Sequence, residues 1–173
     1  MLRGINVSGQ KLIKMADLKN SMKNLGLQNI STYVQSGNIL FETDEKDQLK
    51  IAREIESQIK KDFTFDVPCI VKTAPYFKEV IDGNEFVLRG EDEKRCYVTF
   101  LESKPDQDLV NVIDRDQYKP EEFIVKEDII YFYSPNGYGN AKMNNNFFEQ
   151  KLKVKATTRN WNSVNKLFEL AST

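Results

Sequence analysis

Residues 30–42 read Ile30-Ser31-Thr32-Tyr33-Val34-Gln35-Ser36-Gly37-Asn38-Ile39-Leu40-Phe41-Glu42, and this stretch decides the fold. Two runs rich in β-branched and aromatic residues flank Ser36-Gly37-Asn38, whose residue types suit a tight turn, so the segment predicts an antiparallel hairpin. On its N-terminal side Met15, Leu18, Met22 and Leu25 recur at helical spacing, and Gly26 follows as a terminator. On its C-terminal side Thr43 or Asp44 would cap a helix whose Leu49, Ala52, Ile55 and Ile59 form one apolar stripe. A short apolar start before Asn6 and the run Val67 to Lys72 supply the first and last strands. The order is β-α-β-β-α-β.

The second half repeats that order. Pro75 opens a short helix carrying Phe77, Val80 and Ile81. Cys96 to Leu101 is a strand, and Pro105 to Asp114 is a helix with Leu109, Val112 and Ile113 inward. Glu122 to Val125 and Ile129 to Tyr133 flank Lys126-Glu127-Asp128 as a second hairpin. A loop with Pro135, Gly137 and Gly139 leads to a helix bearing Phe147, Phe148 and Leu152. Lys155 to Thr158 reads as a last strand, and Trp161, Val164, Leu167, Phe168 and Ala171 stripe a terminal helix. Each half matches the split β-α-β arrangement. The expectation is an α+β protein made of two duplicated ferredoxin-like units, each a four-stranded antiparallel sheet with helices on one face, plus a C-terminal helix. Residues 1–74 form the first unit, 75–93 a linking helix and loop, and 94–173 the second.

Composition excludes more chemistry than it suggests. The chain of 173 residues is long enough to bury a core without disulfides or metal. It holds no histidine, which removes the Ser-His-Asp and Cys-His nucleophile systems and every imidazole metal site. Cys69 and Cys96 both lie in apolar runs and read as reduced core thiols, too few for a zinc site. No metal or cofactor is expected. No apolar run approaches the roughly 20 residues of a membrane span, and Met1 to Asn6 lacks the pattern of a signal peptide. These features imply a cytoplasmic chain without a membrane partner.

Net charge is −1, yet its distribution is uneven. Residues 1–41 carry five basic side chains against Asp17 alone, and residues 150–173 carry five against Glu169 alone. Each end is therefore +4 and the middle −9. Basic termini with an acidic remainder attract an anion locally without a high isoelectric point.

The topology says where such an anion would sit. If the first strand runs up, its helix returns down, so the start of that helix and the hairpin turn share one end. That places Arg3, Asn6, Ser8, Gly9, Lys14, Gln35, Ser36 and Asn38 around one rim. Arginine offers a planar fork to phosphate or carboxylate, lysine a point charge, and a helix start adds free N–H groups. The same residues also serve as ordinary turn chemistry, with Gly4 and Gly9 fixing backbone geometry. At the opposite end of the second half lie the Gly137 to Lys142 loop and the Thr158 to Asn162 segment. Gly-x-Gly-x-x-Lys there lacks the spacing and ending of a phosphate loop, and Arg159-Asn160-Trp161 reads equally as a cap and anchor for the last helix, with Trp161 in the core. Asp106 and Asp108, or Glu121 and Glu122, sit on stretches that look exposed, without the apolar surroundings that raise a carboxyl pKa. No catalytic acid, base or nucleophile can be named.

Four segments resemble a bacterial family, domain of unknown function 1697. They are Leu2-Arg3-Gly4-Ile5-Asn6-Val7-Ser8-Gly9, Lys14-Met15-Ala16-Asp17-Leu18, Thr32 to Asn38, and Thr157-Thr158-Arg159-Asn160-Trp161-Asn162-Ser163-Val164. Order and spacing agree over essentially the whole chain. The resemblance implies a duplicated ferredoxin-like fold and no activity. It carries over Arg3, Gly4, Asn6, Lys14, Gln35, Ser36, Gly37, Asn38, Arg159, Asn160 and Trp161. Ser8 stands where the family usually has glycine, and only Met1 precedes Leu2 where relatives have more strand residues, so either the first strand is clipped or the true start lies upstream. The candidate ligand-binding set is Arg3, Asn6, Lys14, Gln35, Ser36, Asn38, Arg159 and Asn160. Three functions fit these observations. One is a binding module for a phosphorylated small molecule or nucleic acid. The others are an enzyme working through Lys, Arg, Asp or Tyr, and a protein-interaction module. Against RNA, no aromatic pair on the central strands matches the RNP signature, and Tyr97, Tyr131 and Tyr133 would stack bases only on an open sheet face.

Overall fold

A computed structural model describes residues 1–172 apart from Ser8. The chain divides into two compact units, Met1–Lys72 and Thr73–Ser172, each a mixture of helices and antiparallel sheet.

In the first unit β1 (Gln28–Tyr33) and β2 (Asn38–Glu42) form the expected hairpin, with Tyr33 opposite Asn38 and Ser31 opposite Leu40. A register shift between Gln28 and Ser31 accompanies Asn29 at φ +49°. Helix α1 (Met15–Lys23) buries Leu18, Ser21 and Met22, and α2 (Gln48–Phe63) buries Ile51, Ala52, Ile55 and Ile59. The cap of α2 is Asp47, not Thr43 or Asp44. Its carboxylate accepts from the Leu49 and Lys50 amides at 3.0 and 3.1 Å. On this helix Leu49 faces outward and Ile51 joins the core.

The first and last strands expected in this unit shrink to one antiparallel bridge, Leu2 to Cys69. Arg3 donates to the Pro68 carbonyl and Ile70 to that of Met1, at 3.0 and 2.9 Å. Pro68 has no N–H to extend a ladder, and Gly4 at φ +71° turns the chain away after Arg3.

The second unit holds a four-stranded antiparallel sheet of β3 (Cys96–Leu101), β4 (Glu122–Lys126), β5 (Ile129–Tyr133) and β6 (Ala156–Asn160), in the order β4-β5-β3-β6. Here the expectation of helices on one face is corrected, because both faces are covered. All six residues of β3 are buried, as a central strand with a near-continuous apolar run requires. On one face α5 (Gln107–Asn111) and α6 (Asn145–Leu152) supply Val110, Phe148 and Leu152 to a cluster with Tyr97, Leu101 and Phe132. On the other lie α3 (Ala74–Asp82), α4 (Glu85–Leu88) and α7 (Trp161–Ala171). There the Phe77 ring lies 5.3 Å from Phe100, and the Tyr131 hydroxyl donates to the Val80 carbonyl at 2.9 Å. The tyrosines considered as base-stacking platforms are thus committed. Tyr131 is 1% exposed, Tyr97 is buried, and Tyr133 stacks on Phe86 at 5.8 Å.

Two smaller expectations also change. α5 is shorter than the predicted helix, so Val110 and Ile113 point inward while Val112, past its end, is 75% exposed. Glu121 is buried, its carboxylate accepting the Lys142 and Met143 amides at 2.8 and 2.9 Å.

Candidate functional site

The rim of the first unit is assembled by one side chain. The Asn6 amide nitrogen donates to the carbonyls of Ile13 and Gln35, both at 2.9 Å, while its oxygen accepts the Ile13 N–H at 2.8 Å. The loop before α1 and the hairpin turn therefore meet, as the topology required. Ile5 and Ile13 anchor the loop in the core at 0% and 2% exposure. Between them the chain closes on itself through a Val7–Gln10 bridge and an Asn6 N–H to Lys11 carbonyl bond of 3.2 Å.

Backbone conformation marks this region. Gly4, Asn6, Gly9, Lys11, Val34 and Gly37 all have φ between +46° and +81°, six of the thirteen left-handed residues among those described. Asparagine tolerates that region because its short polar chain bonds locally. Valine does not, since its branched Cβ crowds the backbone. Gly37 is required for a second reason: a Cβ there would lie 2.7 Å from Ile5 Cδ1 and 2.9 Å from Leu2 Cβ. The turn packs directly on the loop's anchor.

The candidates divide by exposure. Lys14 is exposed at the N-cap position of α1, where its side chain makes no cap. Gln35 and Ser36 are exposed, and Arg3 is half-buried, its N–H held by Pro68. Asn6 spends its amide on the scaffold. Asn38 is fully buried and donates to the Tyr33 carbonyl at 3.1 Å, so its side chain braces the turn from within. Ser8 lies outside the described residues. Lys11, not singled out by the sequence, reaches the Asp66 carbonyl at 2.5 Å. Val7, Leu12 and Val34 surround the same loop and turn with their side chains largely in solvent. No periodicity reveals them, because a left-handed φ at a valine leaves no mark in the sequence.

Arg159 and Asn160 belong to the second unit. Arg159 is buried, with Nη1 donating to Thr157 Oγ1 and the Thr158 carbonyl, each at 2.9 Å. Asn160 caps α7 by accepting the Ser163 amide at 2.8 Å. Trp161 behind it is buried, as expected of a residue heading an apolar stripe.

Other titratable groups of the second unit are tuned away from catalysis. The Tyr76 hydroxyl donates to Asp128, and burial followed by that carboxylate pushes its pKa far up. Burial pushes Tyr131 up to about 12. Burial, then the nearby Glu91 and Glu93, push the Cys96 thiol up to about 11. A phenol or thiol shifted this way is neither base nor nucleophile near neutrality. A groove of about 510 Å³ runs between α3, α4 and α7, lined by Ile81, Trp161, Glu93 and Lys166 among others. Its lysine is paired with Glu169 at 2.6 Å. Among the described residues no group of three metal-ligating side chains gathers, and no helix is long and apolar enough to cross a membrane.

Comparison with known proteins gives the fold company but no chemistry. The structure of a conserved bacterial protein from Streptococcus pneumoniae, SP0830, is similar over 99% of this chain and 96% of that one, with a TM-score of 0.71 and 20% identity. At that identity the likeness concerns the fold alone. No curated protein matches the sequence. The family model described as protein of unknown function (DUF1697) matches residues 1–131, and the chain belongs to that family.

Proposed function

We propose that the protein is a binding module for an anionic ligand, a phosphorylated small molecule in the first instance, held at the rim of the first unit by Arg3, Lys14, Gln35 and Ser36. The observation that carries this reading is the concentration of left-handed backbone around the rim, including Val34 at φ +52°. Strained backbone persists where the surroundings over-determine it, and it clusters at ligand clamps. The strain here is held by Asn6, whose amide is saturated by scaffold bonds and therefore fixes the loop before any ligand arrives. Lys14, Gln35 and Ser36 are left facing solvent on that fixed frame, and residues 1–41 carry the net +4 that draws an anion in. Arg159 and Asn160 take scaffold roles in this reading, as buried strut and helix cap.

We also infer that the two units are both ferredoxin-like. The strand order of the second follows that pattern. In the first, Leu2 donates to the Gly37 carbonyl at 2.8 Å and bridges Cys69, which puts a residual strand between β2 and the Cys69 segment.

A thermal-shift panel of nucleotides, phosphosugars and short oligonucleotides tests the binding reading. A phosphorylated compound should raise the melting temperature of the wild type. Lys14→Ala and Arg3→Ala should each weaken its binding by more than about 1.5 kcal/mol, the lower range for a charge-assisted hydrogen bond. If no anion shifts the wild type, or Lys14→Ala binds as tightly as wild type, the reading is wrong.

A further inference from the structure

A site for a bare anion has no use for aliphatic side chains in water. The rim nevertheless keeps Leu12 67%, Val7 55% and Val34 46% exposed, while Ile5 and Ile13 of the same loop are buried. The Asn6 amide brings the three together. It belongs to the residue before Val7 and bonds the carbonyls of Ile13, next to Leu12, and of Gln35, next to Val34. Three exposed aliphatic residues thus each sit one residue from a single bonded amide. One of them is a valine in the left-handed region, where a β-branched residue is a genuine outlier. Exposed aliphatic residues gathered by the backbone at one loop and turn, amid polar residues, fit an interaction site better than a solvated surface.

The surround identifies the occupant. Lys14 lies two residues from Leu12, Arg3 leads into the loop, and the segment 1–41 has one acidic side chain against five basic ones. Residues 46–67% exposed build no enclosing walls, so the patch suits a macromolecular surface better than a small solute. Its exposed centre is aliphatic, without the aromatic platform that single-stranded nucleic acid favours.

We propose that Val7, Leu12 and Val34, ringed by Arg3 and Lys14, form a docking surface for a partner protein that presents carboxylates around an apolar anchor. This rests on the anion-binding reading of the same rim, with a partner's carboxylates in place of a phosphate as the anion. Aliphatic contact supplies the desolvated centre, and the basic ring selects and orients the partner.

The probe is a labelled synthetic peptide alternating leucine and glutamate, titrated by fluorescence anisotropy against the full chain. Wild type should bind it, more weakly as salt rises. Leu12→Ser and Val34→Gly should each weaken binding roughly tenfold, the scale of a lost interface anchor, without loss of melting temperature. Leu88→Ser, at a leucine of the second unit that is 73% exposed, should bind like wild type. Unchanged binding by Leu12→Ser and Val34→Gly overturns the proposal. If Lys14→Ala weakens binding in that case, the anion reading survives and only the docking surface falls; if Lys14→Ala is also silent, both fall. Two further outcomes also overturn it. One is wild-type binding to phosphatidylserine vesicles but not to the peptide. The other is concentration-dependent self-association that Leu12→Ser abolishes, which would assign the patch to a second copy.

Discussion

Asn6 and Gln35 lie twenty-nine residues apart in sequence and 2.9 Å apart in space, joined by the Asn6 side-chain amide and the Gln35 carbonyl. This bond couples the loop before α1 to the hairpin turn. The same amide group exchanges two bonds with Ile13, so one residue sets the shape of the whole rim. Asn6→Ala should therefore destabilise the first unit by about 2–4 kcal/mol, from three bonds worth roughly 1 kcal/mol each and a methyl forced to φ +55°. Asn6→Gly removes the bonds but relaxes the backbone, so it should be the milder variant. Urea titration separates them, and an Asn6→Gly as damaging as Asn6→Ala would show that the backbone conformation contributes little.

Val34 offers the opposite sign. Its left-handed conformation costs a non-glycine residue roughly 1–2 kcal/mol, and its exposed side chain returns little packing. Val34→Gly should raise stability, by up to about 1 kcal/mol once the extra chain entropy of glycine in the unfolded state is deducted. A measured loss would mean that the valine packs in solution. A gain in stability with weaker peptide binding is the signature of strain kept for function.

The sequence announced some of these relationships and concealed others. The β1–β2 hairpin, the helix stripes apart from Leu49 and Val112, and the buried Trp161 follow from periodicity, because burying an apolar face is a local demand that repeats along the chain. The double-sided cover of the second sheet was visible in Cys96-Tyr97-Val98-Thr99-Phe100-Leu101, which has no polar alternation, yet helices on one face were expected. Pro68 marks its strand as weak in the sequence itself, since proline cannot donate to a ladder. The burial of Glu121 was not legible, because its partners are backbone amides twenty-one and twenty-two residues away. At the rim, the positions of Lys14, Gln35 and Ser36 followed from topology. The inward commitment of Asn38 and the outward turn of Leu12 and Val34 did not, since each depends on backbone conformation that residue type leaves open.

Glu121 is a strong test of the second unit. Its two oxygens accept the Lys142 and Met143 amide protons, and the residue is 7% exposed. Glu121→Gln keeps one acceptor and turns the other into a donor facing an N–H. Glu121→Ala leaves both amides without the carboxylate and opens a void. Destabilisation of about 2–3 kcal/mol is expected for the glutamine and more for the alanine, in line with bonds to a charged group. Equal, small effects in thermal or urea unfolding would place the carboxylate in solvent.

The last prediction concerns alkaline pH. The Cys96 thiol titrates at about 11 in the folded chain against an ordinary value of 9.0, chiefly through burial. Tyr131 shifts to about 12 from 10.0 for the same reason. In both cases the folded state holds the proton more tightly than the unfolded state. Their contribution is therefore complete below pH 9 and declines as the pH rises through the folded-state values, because the unfolded chain gains by releasing protons that the folded chain retains. Stability measured by urea should fall between pH 9 and about pH 12, first through the thiol and then through the phenol. Cys96→Ala should flatten the first part of that fall and Tyr131→Phe the later part. At pH 8 the same displacement keeps the thiol protonated, so iodoacetamide should label Cys96 only after denaturant is added. Rapid labelling of the native chain at that pH would show that Cys96 is reached by solvent and that burial is not what holds its proton.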